Sequence, residues 1–278
     1  MLKKIFKLLL KLLFIFILIL TIFFVSINIF IKPSNNRNWN DDQKVLSTGT
    51  VKGNKVEIKN IRDFRYASTT SYMDHYYNKE YDLNKIKRVW YIVEPFSGIP
   101  GSAHTFLSFE FEDNVFVSVS VEIRKEKGES FHPVKGLLNQ YEIMYVWADE
   151  KDVVDLRINH RKDQVFMYPM KAGSEKTKEL FLSIINRTDK LSTQPEFYNT
   201  LFNTCTTNIV KHVNLISPKT IPTIDTSILF PENSDLLAYK LGLIDTDLPI
   251  DKIRNKFNIN KKGEMYKNDP NFSIKIRE

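Results

Sequence analysis

"AHTFLSFEFEDNVFVSVSVEI" (Ala103 to Ile123) decides how this chain folds. Val115, Val117, Val119, Val121 and Ile123 make one apolar face of its second half, and Leu107, Phe109 and Phe111 dominate the matching face of its first half. Strict alternation of this kind is the signature of strands. Glu112-Asp113-Asn114 forms a short loop, with Asn able to adopt a left-handed conformation. Opposed side chains in an antiparallel pair share a face, so matching the two apolar faces pairs Phe111 with Val115. The same register sets His104 opposite Glu122 on the polar face, with Cβ atoms about 5 Å apart. A carboxylate beside an imidazole can hold its tautomer and stabilise its charged form. An ordinary polar pair on a solvated sheet face is the plainer alternative.

Other segments extend the sheet. "KVEIKNIRDFRY" (Lys55 to Tyr66) reads as a strand followed by an irregular segment, and "KRVWYIVEPF" (Lys87 to Phe96), "NQYEIMYVWADE" (Asn139 to Glu150), "VVDLRINH" (Val153 to His160) and "QVFMYPM" (Gln164 to Met170) read as strands. The period then changes. From Ser174, Leu180, Phe181, Ile184, Ile185 and Thr188 recur at helical spacing. A second helix starts near Asn203 or Thr204 and runs through "CTTNIVKHVNLI", and Ser234 to Ile244 is a short third one. The expected fold class is therefore α+β, an antiparallel sheet packed against helices.

The N-terminus has a different character. Four lysines precede an uncharged, mostly apolar stretch from Leu12 to Ile31, long enough to cross a bilayer as a helix. Lysines on its leading flank keep that end cytoplasmic. The expected layout is an anchor over 1–32, a linker and entry segment over 33–54, an exported domain over 55–250 and a peripheral polar tail over 251–278. The expected location is the cytoplasmic (inner) membrane, single-pass, with the C-terminal domain periplasmic. A long cleaved signal peptide is the alternative.

Charge excludes one function class. Of the net +7, five charges come from Lys3, Lys4, Lys7, Lys11 and Lys32. The exported part is nearly balanced and carries no basic stripe, so nucleic acid is not an expected partner. Scattered histidines and one cysteine give no metal-ligand spacing, and no glycine-rich phosphate loop is present. No metal or other cofactor is expected.

That cysteine, Cys205, lies in "NTCTTN". It cannot make an internal disulfide. It is a buried apolar residue, a site of intermolecular pairing or a reactive thiol. In the first turn of a helix the dipole lowers a thiol pKa. Of the five histidines, His212 lies two turns further along the same helix. His104 alone combines a strand position with an acidic neighbour.

The order His, Glu, Cys resembles the circularly permuted, NlpC-type branch of papain-like thiol enzymes, which includes the lecithin:retinol acyltransferase-like proteins. More closely, "RNWNDDQ" (Arg37 to Gln43), "IKNIRDFRY" (Ile58 to Tyr66), "AHTFLSFEF", "SVSVEIRKEKGESF" (Ser118 to Phe131), "ADEKDVVDLRIN" (Ala148 to Asn159) and "PEFYNTLFNTCTTNI" (Pro195 to Ile209) resemble the bacterial Lnb N-terminal periplasmic domain family. The resemblance implies a permuted papain-like fold and a membrane-anchored thiol acyltransferase. Cys205 would form a thioester, His104 would act as base and Glu122 would orient it. Helix N–H groups, with Asn203, would hold the oxyanion, while Asn199, Arg62, Arg124 and Glu126 would have supporting roles. The implied partners are membrane phospholipid, with lipoproteins or another membrane protein. A cell-wall peptide or amide hydrolase uses the same dyad, and a non-catalytic binding module would dispense with it.

Overall fold

The computed structural model describes residues 2–218 and 220–278. The chain opens with helix α1 (Leu2–Phe30). Its apolar span is unburied by the rest of the molecule. The strands are β1 (Thr48–Lys52), β2 (Lys55–Arg62), β3 (Arg65–Tyr66), β4 (Tyr72–Met73), β5 (Tyr76–Asp82), β6 (Ile86–Pro95), β7 (Ala103–Phe111), β8 (Phe116–Arg124), β9 (Glu142–Ala148) and β10 (Phe166–Pro169). The remaining helices are α2 (Pro133–Leu137), α3 (Glu150–Asp155), α4 (Ser174–Thr193), α5 (Cys205–Ile216), α6 (Thr226–Leu229), α7 (Ser234–Lys240), α8 (Ile250–Phe257), α9 (Asn260–Met265) and α10 (Phe272–Lys275).

The main sheet runs β1-β2-β9-β8-β7-β6-β10, with β5 added on β2. Its pairs are antiparallel apart from the parallel Arg62–Ala148 contact between β2 and β9. The β7–β8 register is the one the apolar faces require: Phe106 opposes Ser120 and Phe109 opposes Val117. Phe111 N–H donates to Val115 at 2.8 Å, and both Asp113 and Asn114 are left-handed in the loop.

Helices cover both faces of this sheet, giving two cores. Odd-numbered residues of β6, β7 and β8 (Tyr91, Leu107, Phe109, Val119) pack with Phe181, Ile184 and Ile185 of α4, Ile209 of α5 and Ile253 of α8. Even-numbered residues (Trp90, Ile92, Phe106) pack with Val153, Val154, Ile158, Phe272 and Ile276. Each such fully buried large side chain contributes about 1.5–3 kcal/mol by leaving water.

Three expectations are corrected here. Residues 153–160 form a helix and not a strand: α3 continues as a π-helical stretch, Leu156–Arg161. Asp149 caps α3 by accepting from Lys151 N–H at 3.0 Å, and the spacing of Val153, Val154, Leu156 and Ile158 suits either period. The polar face of the hairpin is consequently covered by this helix and is not a solvated surface. The tail after 251 is not peripheral, since Ile253, Phe272 and Ile276 are buried. The entry segment is also built in: β1 lies within 33–54, and Trp39 is buried beneath the Arg124 guanidinium, 4.2 Å from its ring centroid.

Candidate functional site

The loop before α5 is built from its amides. Asn199 and Asn203 exchange backbone hydrogen bonds, and the Asn199 carboxamide oxygen accepts from Leu201 and Phe202 N–H at 3.0 and 3.1 Å. Thr204 is the N-cap, in a capping box with Thr207. These contacts fix where the helix begins, so Cys205 is its first residue. The thiol is half-buried, and its hydrogen-bonding contact is Thr206 Oγ1 at 3.7 Å.

The Asn203 side chain is committed to the loop. Its amide donates to Phe197 O at 2.8 Å, and its oxygen accepts from Asn208 at 2.9 Å. Both ends of the Asn203 carboxamide are thus engaged within the loop, and the first-turn N–H groups of α5 carry the partial positive charge of the helix end.

α5 lies on the odd face of the sheet. Thr105 Oγ1 and Thr206 Oγ1 are 3.0 Å apart, and Ile209 belongs to the odd-face core. His104, one residue from Thr105, therefore points to the even face. Its ring stacks on Phe106 at 5.8 Å, and Nε2 meets Ser120 Oγ at 2.7 Å. Ser120 Oγ donates to Glu122 Oε1 at 2.9 Å. His104 and Glu122 are thus joined through Ser120 and not directly. A papain-like dyad needs the cysteine helix and the histidine on one face; here the sheet lies between them.

The even-face cluster is strongly charged. Arg157 bridges Glu94 and reaches Glu122 at 3.5 Å. Arg62 grips Asp152 with two hydrogen bonds at 3.0 and 2.8 Å, both residues being buried. Burial, reinforced by Arg157, pushes the His104 pKa down to about 3, against the pull of Glu122. His104 is consequently neutral at neutral pH. Burial disfavours ionised Glu122, but Arg62 and Arg157 outweigh it and hold the carboxyl well below its ordinary range. Ser120 was the residue of this relay that sequence reasoning missed. Its alternate-position polarity, between two apolar neighbours, was the available signal.

The other supporting residues brace the fold. Arg124 donates to Gln43 O, Lys44 O and Asn35 Oδ1. Glu126 pairs with Arg37 at 3.2 Å. Both tie the entry segment to β8 and its following loop.

A cavity of about 390 Å³ runs along α5 on the odd face. Thr206, Ile209 and Val213 line one wall, and Tyr91, Leu107, Ala238 and Leu243 line others. Its volume and apolar lining are those of a small-ligand pocket. Tyr91, at its Thr206 end, donates to Ser234 at 2.8 Å. Burial chiefly, and the nearby Cys205 as a smaller cause, raise the Tyr91 pKa.

The sequence model of the Lnb N-terminal periplasmic domain family matches residues 72–232. The chain belongs to this family. The matched segment contains β7, β8, α5 with Cys205 and, apart from Arg62, the even-face cluster. No curated protein and no solved structure matches the chain. A periplasmic domain behind one exposed apolar N-terminal helix makes this an exported, membrane-associated protein. Among the described residues no group of three or more His, Cys, Asp or Glu could hold a metal ion.

Proposed function

We propose that this Lnb-type domain is a thiol acyltransferase-like enzyme that acts on phospholipid at the inner membrane, with Cys205 as nucleophile. The observation that carries this is the apolar cavity beginning at Thr206, the neighbour of the thiol. The acyl chain lies in the cavity and its ester carbonyl lies at Cys205. The sulfur attacks that carbon, an S–C bond forms, and the ester C–O bond breaks. The lysophospholipid leaves as the alcohol, taking up the proton lost by the thiol. An amine of a lipoprotein, or water, then breaks the S–C bond. The first-turn N–H groups of α5 stabilise the oxyanion.

A second reading has its own observation. His104 and Cys205 lie on opposite faces, and a non-catalytic lipid-binding module needs no dyad. The two readings separate in one assay. The full chain in vesicles is given phospholipid carrying a labelled acyl group, and lysophospholipid release is followed. Release that disappears in Cys205→Ser supports the enzyme. Lipid retained but never cleaved supports the binding module. Cleavage of wall peptides, with lipid untouched, supports the hydrolase alternative and defeats acyl transfer.

A further inference from the structure

We infer that the loop tip preceding Cys205, together with α2, forms a second membrane contact that inserts into the bilayer surface. The tip is Thr200-Leu201-Phe202, pinched at its base by the reciprocal Asn199–Asn203 pairing. Leu201 is 40% exposed and Phe202 60%. In the adjoining segment Phe131 is 40% exposed and Val134 53%. Thr200 Oγ1 donates to Pro133 O at 2.7 Å and fastens the tip to α2. Gly136 sits directly against Thr200 and Tyr198, where no Cβ would fit.

The occupant is identified by what lies beside this surface. Asn139, two residues after α2, donates through its amide to Asn28 Oδ1 at 3.1 Å. Asn28 is in the last turn of α1, the apolar helix long enough to span a membrane. Ser34 N–H, just past that helix, donates to Glu142 at the start of β9. The α2 segment is therefore held at the level where α1 leaves the hydrocarbon. Exposed Phe, Leu and Val side chains at that level gain free energy by entering the acyl–headgroup boundary. Cys205 follows the tip by three residues, so insertion would present the thiol to lipid. The inference rests on α1 as the anchor and not on the thiol chemistry.

The test uses the full chain in phosphatidylcholine vesicles brominated in the upper part of the acyl chain. Phe202→Trp adds one tryptophan at the tip, whereas Trp39, Trp90 and Trp147 are buried. Glu112→Trp, at the opposite end of the β7–β8 hairpin, is the control. The expected result is bromine quenching and a blue shift for Phe202→Trp and neither for Glu112→Trp. Val134→Trp should behave as Phe202→Trp does, which guards against a local distortion of the tip. An unquenched tip tryptophan, or equal quenching at both ends, overturns the inference. Repeating the measurement in Cys205→Ser separates it from the enzymatic reading, because quenching is expected to persist there.

Discussion

Removing the carboxylate of Asp152 should destabilise the exported domain severely. Asp152 accepts two hydrogen bonds from Arg62, one from Phe64 N–H at 2.7 Å and one from Tyr66 at 3.3 Å. Arg62 is itself only 4% exposed along its side chain. Asp152→Ala would therefore leave a buried guanidinium without its counter-charge. Breaking one half of such a pair costs about 3–5 kcal/mol. At about 2–4 °C per kcal/mol for a domain of this size, Tm should fall by about 6–20 °C. The assay is thermal unfolding followed by circular dichroism on the detergent-solubilised chain. Replacing both partners, as Arg62→Met with Asp152→Leu, should recover part of the loss, because the guanidinium is no longer stranded, while Phe64 N–H and Tyr66 still lose their acceptor and Glu122 loses one counter-charge. A loss below about 1 kcal/mol in Asp152→Ala would refute the reasoning, since that is the range of exposed pairs.

Three further outcomes follow from the same contacts. Folded-state pKa values of about 3 for His104 and about 4 for His212, both lowered first by burial, mean that unfolding takes up protons below about pH 6.5. Stability should therefore fall as pH drops from 7 to 5, with a shallower slope in His104→Gln or His212→Gln; Asp149, raised to about 6 by burial and Asp63, works in the opposite direction. Equal slopes in all three proteins would contradict these shifts. Ala238→Phe projects into the cavity and should abolish transfer of long acyl chains while sparing short ones; unchanged long-chain transfer would remove the cavity from the mechanism. Gly136→Val drives a side chain into Thr200 and Tyr198, and overpacking of this kind costs about 1–3 kcal/mol. Lipid-dependent activity should drop further than Tm alone explains, and parallel losses would argue against a functional tip.

The β7–β8 register was legible because β8 carries an unbroken apolar face and β7 a matching one interrupted only at Thr105, so a slip of one residue would set apolar side chains against the polar face. The start of α5 was legible to within a residue, from Asn203 or Thr204 as N-cap, and Thr204 takes that place. What covered the polar face was not. Val153, Val154, Leu156 and Ile158 fit a strand as well as a helix, and the deciding contacts are tertiary: Arg157 reaching Glu94, and Ile158 packing on Gly263. With that helix misread, the His104–Glu122 pair looked solvent-facing and free to meet a thiol. The sign that it would not was Thr105. A polar residue on an otherwise apolar face marks a buried polar contact, and Thr206 of the cysteine helix supplies it. Strand alternation then dictates that its neighbour His104 faces away.

On the function proposed, Cys205 carries an acyl group drawn from phospholipid. The direct test is mass spectrometry of the full chain recovered from vesicles of acyl-labelled phospholipid. The account predicts an added mass of one acyl chain on the peptide containing Cys205, removed by hydroxylamine and absent in Cys205→Ser. An unmodified Cys205 peptide, from a folded chain that still binds the vesicles, would contradict it.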